Sequence, residues 1–377
     1  MGLLTQARDG RVHGAVEHPM PNLRSAGDVP MVLSVGRWLA TVLALAGASL
    51  LVLVVCLRFG AEDIGYLQTM QILSRTVLDG QAGLEAAGAS GIILVQVRLP
   101  RLLLAFMVGG CLAAVGVGLQ ALLRNPLADP YVLGISSGAA LGAGLAILMG
   151  IGTTMLAVSA LPLCALAGGL VSILLVYRIA ASYGYLPMHT LLLAGVILNA
   201  IFSALIMFVT SMMDPNRAFG MMSWLMGTLT APTYPVLAVL LGYLLVGTLI
   251  LFSQARSLNV LTLGEEAARS LGVEVETVKK AVFFTSALLT GSVVSVSGMI
   301  GFVGMVIPHA VRMLLGADHR LLLPASALIG GMYLMAADTI ARTLLSPTEM
   351  PVGIVTALAG GPFFIYLLMS RKSGLRV

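Results

Sequence analysis

From residue 38 onward, long apolar runs alternate with short polar breaks along nearly the whole chain. Charge-free runs cover 38–57, 102–123, 132–177, 218–255, 281–308 and 350–370. An α-helix needs about 20 apolar residues to cross the hydrocarbon of a bilayer, and every one of these runs is long enough. The stretch 186–213 carries only His189, and 321–337 leads on to Asp338 and Arg342. The run 132–177 has room for two spans, with a break at 150–154, and 281–308 turns near 297–301. The pattern predicts ten spans, at 38–57, 102–123, 133–149, 155–177, 187–212, 222–252, 280–297, 301–316, 322–345 and 351–369. The expected fold class is all-α: a polytopic membrane protein of about ten transmembrane helices.

Small residues recur four apart, as in Gly134, Gly138 and Gly142, or Gly110, Ala114 and Gly118. Such spacing lets helix backbones approach closely. It serves packing inside one chain, or a seam between two copies.

Charge decides the orientation. An even number of spans puts both termini on one side. If that side is the cytoplasm, only Arg58, Arg75, Arg98, Arg101, Arg217 and Arg342 of the 21 Lys and Arg lie outside. Positive charge gathers in cytoplasmic loops, so both ends are expected there. Residues 1–30 are polar and mixed in charge. They read as a disordered cytoplasmic extension preceding a transmembrane domain over 31–377, or as upstream sequence with Met20 or Met31 as the start. The apolar stretch that follows is too long for a signal-peptide core and stays in the mature protein.

Composition narrows the function classes. Apolar residues make up 58% of the chain and charged ones 10%, with a mean hydropathy of +1.00. That excludes a soluble globule, a disulfide scaffold, a disordered chain and a nucleic-acid binder. Cys56, Cys111 and Cys164 sit singly in apolar runs, so no metal site is expected. No HExxH, GxSxG or phosphate-binding GxxxxGK[ST] occurs, and no paired nucleophile and base suggests a membrane enzyme. Near membrane depth the ionisable residues are His189, His309, Arg312, Asp338 and Arg342. Only Asp338 is a carboxylate able to serve ion coupling, and four residues from Arg342 it faces an ion-pair partner instead.

The longest inner loop, 257–280, carries four acids. Thr262 with Glu265 has a capping-box pattern opening a short helix, Gly272 stops it, and a second amphipathic turn begins near Glu274. Such a pair could lie at the lipid surface, but anionic headgroups repel acids, and a rigid knob docked in a soluble partner suits the charge better.

Within that loop Glu266-Ala267-Ala268 and Gly272 resemble the EAA–G signature of ABC importer permeases. The string Thr262-Leu263-Gly264-Glu265-Glu266-Ala267-Ala268-Arg269-Ser270-Leu271-Gly272 resembles the coupling loop of FecCD-type permeases, which import iron-siderophores, haem and cobalamin. Further segments agree: Arg98-Leu-Pro-Arg101, Gly134-Ile-Ser-Ser-Gly138, Gly301-Phe-Val-Gly-Met-Val-Ile-Pro-His309 and Ala337-Asp-Thr-Ile-Ala-Arg342. The resemblance covers about 90–370.

It implies a type II ABC importer architecture in the bacterial inner membrane. A homodimer would hold the pathway on its two-fold axis, with two copies of an ABC ATPase below and a periplasmic substrate-binding protein above. Coupling helices at about 258–278 would sit in a groove of the ATPase. ATP and Mg would belong to that partner, with no cofactor in this chain, and the only other surroundings would be membrane lipids. By the same resemblance Arg98, Arg101 and Arg342 would accept acidic residues of the binding protein, which a planar guanidinium grips bidentately. Asn199, Ser203 and Met207 share a face of the fifth span, which the resemblance sets beside the pathway. The nearby Met212, Met213, Met221, Met222 and Met226 would form an adaptable wall or loose core filling. The metal-chelate substrate is expected to be a ferric siderophore first, then haem, then cobalamin, an order resting on how common such systems are. An ion-coupled secondary carrier without an ATPase is the competing class.

Overall fold

The structure, a computed structural model, describes residues 34–60, 62, 64–151, 160–182 and 185–373. The extension expected over 1–30 lies outside the described residues. Ser34 accepts the Arg37 N–H and opens α1 (Val35–Arg58). Three short helices follow: α2 (Tyr66–Asp79), α3 (Gln81–Ala86) and α4 (Gly88–Ile92). A π-helical turn at Ile93–Arg98 then leads into α5 (Leu99–Leu122). A 3-10 turn at Pro130–Leu133 precedes α6 (Ile135–Leu148). Next come α7 (Ala160–Ala180), α8 (Met188–Ser211), α9 (Pro215–Leu225) and α10 (Tyr234–Ser253). After α11 (Ala255–Leu261) and α12 (Glu265–Ser270), the chain closes with α13 (Val275–Ser297), α14 (Val303–Leu315), α15 (His319–Thr343) and α16 (Val352–Ser373).

Among the described residues, seven helices are long and apolar enough to cross a membrane, with 88–122 counted as one, and α6, α14 and α16 are shorter apolar helices. Each of these ten overlaps one of the ten expected spans. Among the described residues there is no sheet, only a bridge between Ser182 and Tyr185.

One expected span is corrected. The sixth was placed at 222–252, but α9 ends at Leu225, the chain runs irregularly to Thr233, and α10 begins only at Tyr234. Gly227, at φ +73°, turns the chain so that the Thr228 N–H reaches the Ser297 carbonyl at 2.9 Å. Pro232 and Pro235 restrict where a helix can restart. The whole stretch is apolar, so a count of apolar residues does not see the break.

The core is built around α5, of which 78% of the apolar window is inside the molecule. Gly109 lets α5 touch α15, since a Cβ there would lie 2.2 Å from the Gly330 carbonyl oxygen. Gly138 and Gly142 meet Gly168 and Cys164 of α7 in the same way, so this small-residue stripe packs within the chain.

Three helices, α14, α15 and α16, carry an internal proline, and in α14 and α15 a side chain from elsewhere repairs the gap. Proline removes the bond to the carbonyl four residues back. Pro308 in α14 leaves the Gly304 carbonyl, and the buried Gln120 of α5 donates its Nε2 to that oxygen at 3.3 Å and to the Met305 oxygen at 3.2 Å. Arg312 completes the link by donating to Gln120 Oε1 at 3.0 Å. Pro324 in α15 leaves the Arg320 carbonyl, and Trp38 of α1 donates its Nε1 there at 2.8 Å. In a bilayer, where no water can take these carbonyls, such partners are needed.

Candidate functional site

At one end of the bundle the segment α11–α12 leads into the first turn of α13. Gly264, at φ +120°, brings the chain into α12 in a conformation that side chains resist, and Gly272, at φ +80°, takes it out. The N–H groups of Gly272 and Val273 close the helix on the Arg269 and Ala268 carbonyls, at 3.0 and 2.9 Å. Ala268 is fully buried, whereas Thr262, Leu263, Glu266, Arg269 and Leu271 are exposed and Gly264, Glu265 and Ala267 are half-buried. Leu263 and Leu271 stand 70% and 65% exposed on either side of the acidic helix.

The expected capping box is absent. Thr262 instead ends α11, its hydroxyl donating to the Asn259 carbonyl at 2.7 Å, and Gly264 takes the N-cap place. Glu265 points the other way, its carboxylate 2.8 Å from the Lys279 ammonium. A buried cation outcompetes a solvated backbone N–H for that acid. The expected second turn near Glu274 is the first turn of α13 itself, which runs on unbroken to Ser297.

Asn259 ties α11 to α15, donating to Asp318 Oδ1 at 2.8 Å. The Arg320 guanidinium beside Asp318, helped by the Asn259 amide, holds that carboxyl down to about 2. In the 123–134 segment, burial pushes the Asp129 carboxyl up to about 6, against the Tyr131 N–H that it accepts.

At the opposite end, α5 and α15 meet in a charged cluster. Asp338, with no exposure, receives Arg101 Nε at 3.0 Å on one oxygen and Arg342 Nε at 3.0 Å on the other. The pairing of Asp338 with Arg342 read from their spacing is therefore present, and Arg101 is its second cation. Arg101 Nη1 reaches on to Glu349, 2.8 Å away and with a side chain 56% exposed.

Arg98 is placed differently from the surface position that docking needs. It is 3% exposed and donates to the Leu57 carbonyl at 3.0 Å, the Arg58 carbonyl at 2.8 Å and the Glu62 carbonyl. Its guanidinium thus satisfies carbonyls that the end of α1 leaves over. Arg342 is buried as well, which leaves Arg101 as the arginine of the three nearest the surface. Sequence reasoning missed Glu349, which stands in an unremarkable Ser-Pro-Thr-Glu loop.

On α8, Asn199, Ser203 and Met207 form one exposed stripe, bordered by the exposed apolar Val196, Leu205 and Phe208. The methionines divide: Met207, Met212, Met222 and Met226 are exposed, Met213 is half-buried, and Met221 is core, packed against Gly144. His189 is exposed at the start of α8 and His309 is buried in α14. Among the described residues no three His, Cys, Asp or Glu side chains come together as a metal site.

Three comparisons bear on this arrangement. The hemin transport system permease protein HmuU of Yersinia pestis is 41% identical over 324 residues, covering 86% of this chain and 95% of its own. The cobalamin import system permease protein BtuC of Halobacterium salinarum is 44% identical over 284 residues, 74% of each chain. A solved structure described as an inward-facing conformation of a metal-chelate type ABC transporter superposes with a TM-score of 0.73 at 32% identity, covering 88% of this chain and 99% of that one. The FecCD transport family matches residues 47–370, and the chain belongs to that family as the multi-pass permease subunit of an ABC importer, not an enzyme.

Proposed function

We propose that two copies of this chain, two ABC ATPase subunits and a substrate-binding protein form an importer for a metal chelate, working by ATP-driven alternating access in the bacterial inner membrane. The observation that carries this reading is α12: a short acidic helix between two glycine turns, flanked by exposed Leu263 and Leu271. An isolated membrane protein gains nothing by holding two leucines out beside Glu266, whereas a groove in a soluble partner covers them. The α12 end then faces the cytoplasm together with both termini. The Arg101–Asp338–Arg342 end faces the binding protein, and ATP and Mg belong to the ATPase.

Alternating access requires the binding protein and ATP to have different affinities for the inward- and outward-open states. The α8 stripe of Asn199, Ser203 and Met207 lines the pathway in this reading, between the two copies. A wall of apolar and thioether groups with sparse polar atoms lets a bulky chelate pass without gripping it. The hemin and cobalamin names of the two quoted relatives raise tetrapyrrole chelates above the ferric siderophore that abundance favours. An ion-coupled carrier is less well served, because Asp338, its one intramembrane carboxylate, is held by two arginines.

The test is native mass spectrometry of the complex, purified in mild detergent from its own membranes. A two-plus-two assembly with a P-loop ATPase is expected. A chain or dimer that gently extracted membranes yield without any ATPase would return the carrier hypothesis.

A further inference from the structure

Lys279 belongs to the positive charge expected at the cytoplasmic flank of the seventh span, yet its side chain is only 3% exposed. An ammonium has three donors and no acceptor, and here each donor has an oxygen. Lys279 Nζ lies 2.8 Å from Glu265 Oε2 on α12, 3.1 Å from Glu276 Oε1 on its own helix, and 3.3 Å from the Leu186 carbonyl. Glu276 uses its other oxygen to accept the Leu186 N–H at 2.8 Å. Leu186 is fully buried two residues before α8, so one turn of α13 holds both of its backbone polar groups. Arg269 stands 3.8 Å from Glu265 and 3.7 Å from Glu276, which brings the cluster to two acids and two bases.

The cluster therefore ties three elements directly to one another: α12, the first turn of α13, and the entry to α8. We infer that Lys279 is the positioning residue that makes α12 and the start of α8 move as one body, so that a push on α12 reaches the Asn199–Ser203–Met207 stripe. This rests on the reading of α12 as the surface that meets the ATPase.

A stiff link is what such a transmission needs. Two carboxylates converging on one buried cation, with a backbone amide held alongside, have few alternative arrangements that keep every group partnered. A mobile surface lysine would let α12 shift without moving α8.

The experiment is hydrogen exchange on the whole complex with its ATPase, with and without trapping by ATP, Mg and orthovanadate. In the natural protein, trapping should change exchange at 265–271 and also at 185–200, each by about tenfold, the usual scale of coupling between sites. The variant for comparison is Lys279→Met with Glu276→Gln. It keeps the cluster neutral and leaves the Gln oxygen to accept the Leu186 N–H. It should retain the response at 265–271 and lose the response at 185–200. A residue that only stabilised the fold would raise exchange in both states and leave the nucleotide response in place, so an undiminished response at 185–200 overturns the inference. Should the variant not assemble, the natural complex decides alone: a response at 265–271 without one at 185–200 also overturns it. No response at 265–271 in the natural complex would instead sink the ATPase-docking reading itself.

Discussion

Among single residues, Arg98, Arg101 and Arg342 show how three like side chains in one neighbourhood take different tasks. Arg98 is committed to carbonyls at the end of α1, and Arg342 to Asp338 and the Thr339 hydroxyl. Arg101 alone extends from the buried carboxylate to an exposed acid, Glu349. If a binding protein docks here through carboxylates, Glu349 occupies the place that its acid needs. Replacing Glu349 with Gln should therefore tighten the binding protein's hold by about two- to fivefold, the range that a partly exposed ion pair of ~1 kcal/mol or less allows. A fluorescence titration of binding protein against the detergent-solubilised permease measures this. Weaker binding on removing Glu349 would mean that the acid contacts the partner directly, and unchanged binding would place docking away from Arg101.

At the level of helices, the prolines make the clearest energetic case. Trp38→Phe keeps the apolar ring but leaves the Arg320 carbonyl without its donor, at a cost of about 1–3 kcal/mol for a buried unsatisfied group. Pro324→Ala restores an N–H in α15 that can reach that carbonyl directly. Thermal unfolding in detergent should therefore show Trp38→Phe clearly destabilised and the double variant Trp38→Phe/Pro324→Ala recovering most of the loss. Additive effects would mean that the indole and the proline are unrelated. Most of the ten apolar helices were legible in the sequence as long charge-free runs, while α14 and α15 carry Arg312, Asp338 and Arg342 and were read from the apolar residues around those charges. The break after Leu225 was not, since Gly227 and the Thr-Pro stretch interrupt the helix without interrupting hydrophobicity. The acidic character of the loop around Glu266 was legible from residue types, and its likeness to a coupling motif from the resemblance. The direction of Glu265 was not, because its partner Lys279 lies fourteen residues on and looks in sequence like an ordinary flanking charge.

For the whole molecule, the packing is uneven: α1, α7, α8 and α10 leave most of their apolar windows outside the core. The window of α5 is mostly inside, whereas only 33% of that of α8 is buried. The exposed side of α8 is not uniformly apolar, as a surface meeting only lipid tends to be: Asn199 and Ser203 stand on it, one turn apart. Polar side chains at membrane depth mark cavities and pathways more often than lipid contacts. If two copies enclose a pathway along this face, a bulky residue there should obstruct passage while leaving the fold alone. Ser203→Trp adds an indole at an exposed position, where substitutions usually change stability by less than about 0.5 kcal/mol. In proteoliposomes holding the complete complex, uptake of the transported chelate should fall about tenfold or more, the loss that a barrier of about 1.4 kcal/mol produces. The melting temperature and the mass of the assembled complex should stay as they were. Full uptake by Ser203→Trp would turn this face towards lipid and move the pathway elsewhere. A collapse in melting temperature would show that α8 is already packed against a partner at Ser203, which leaves no lumen there to obstruct.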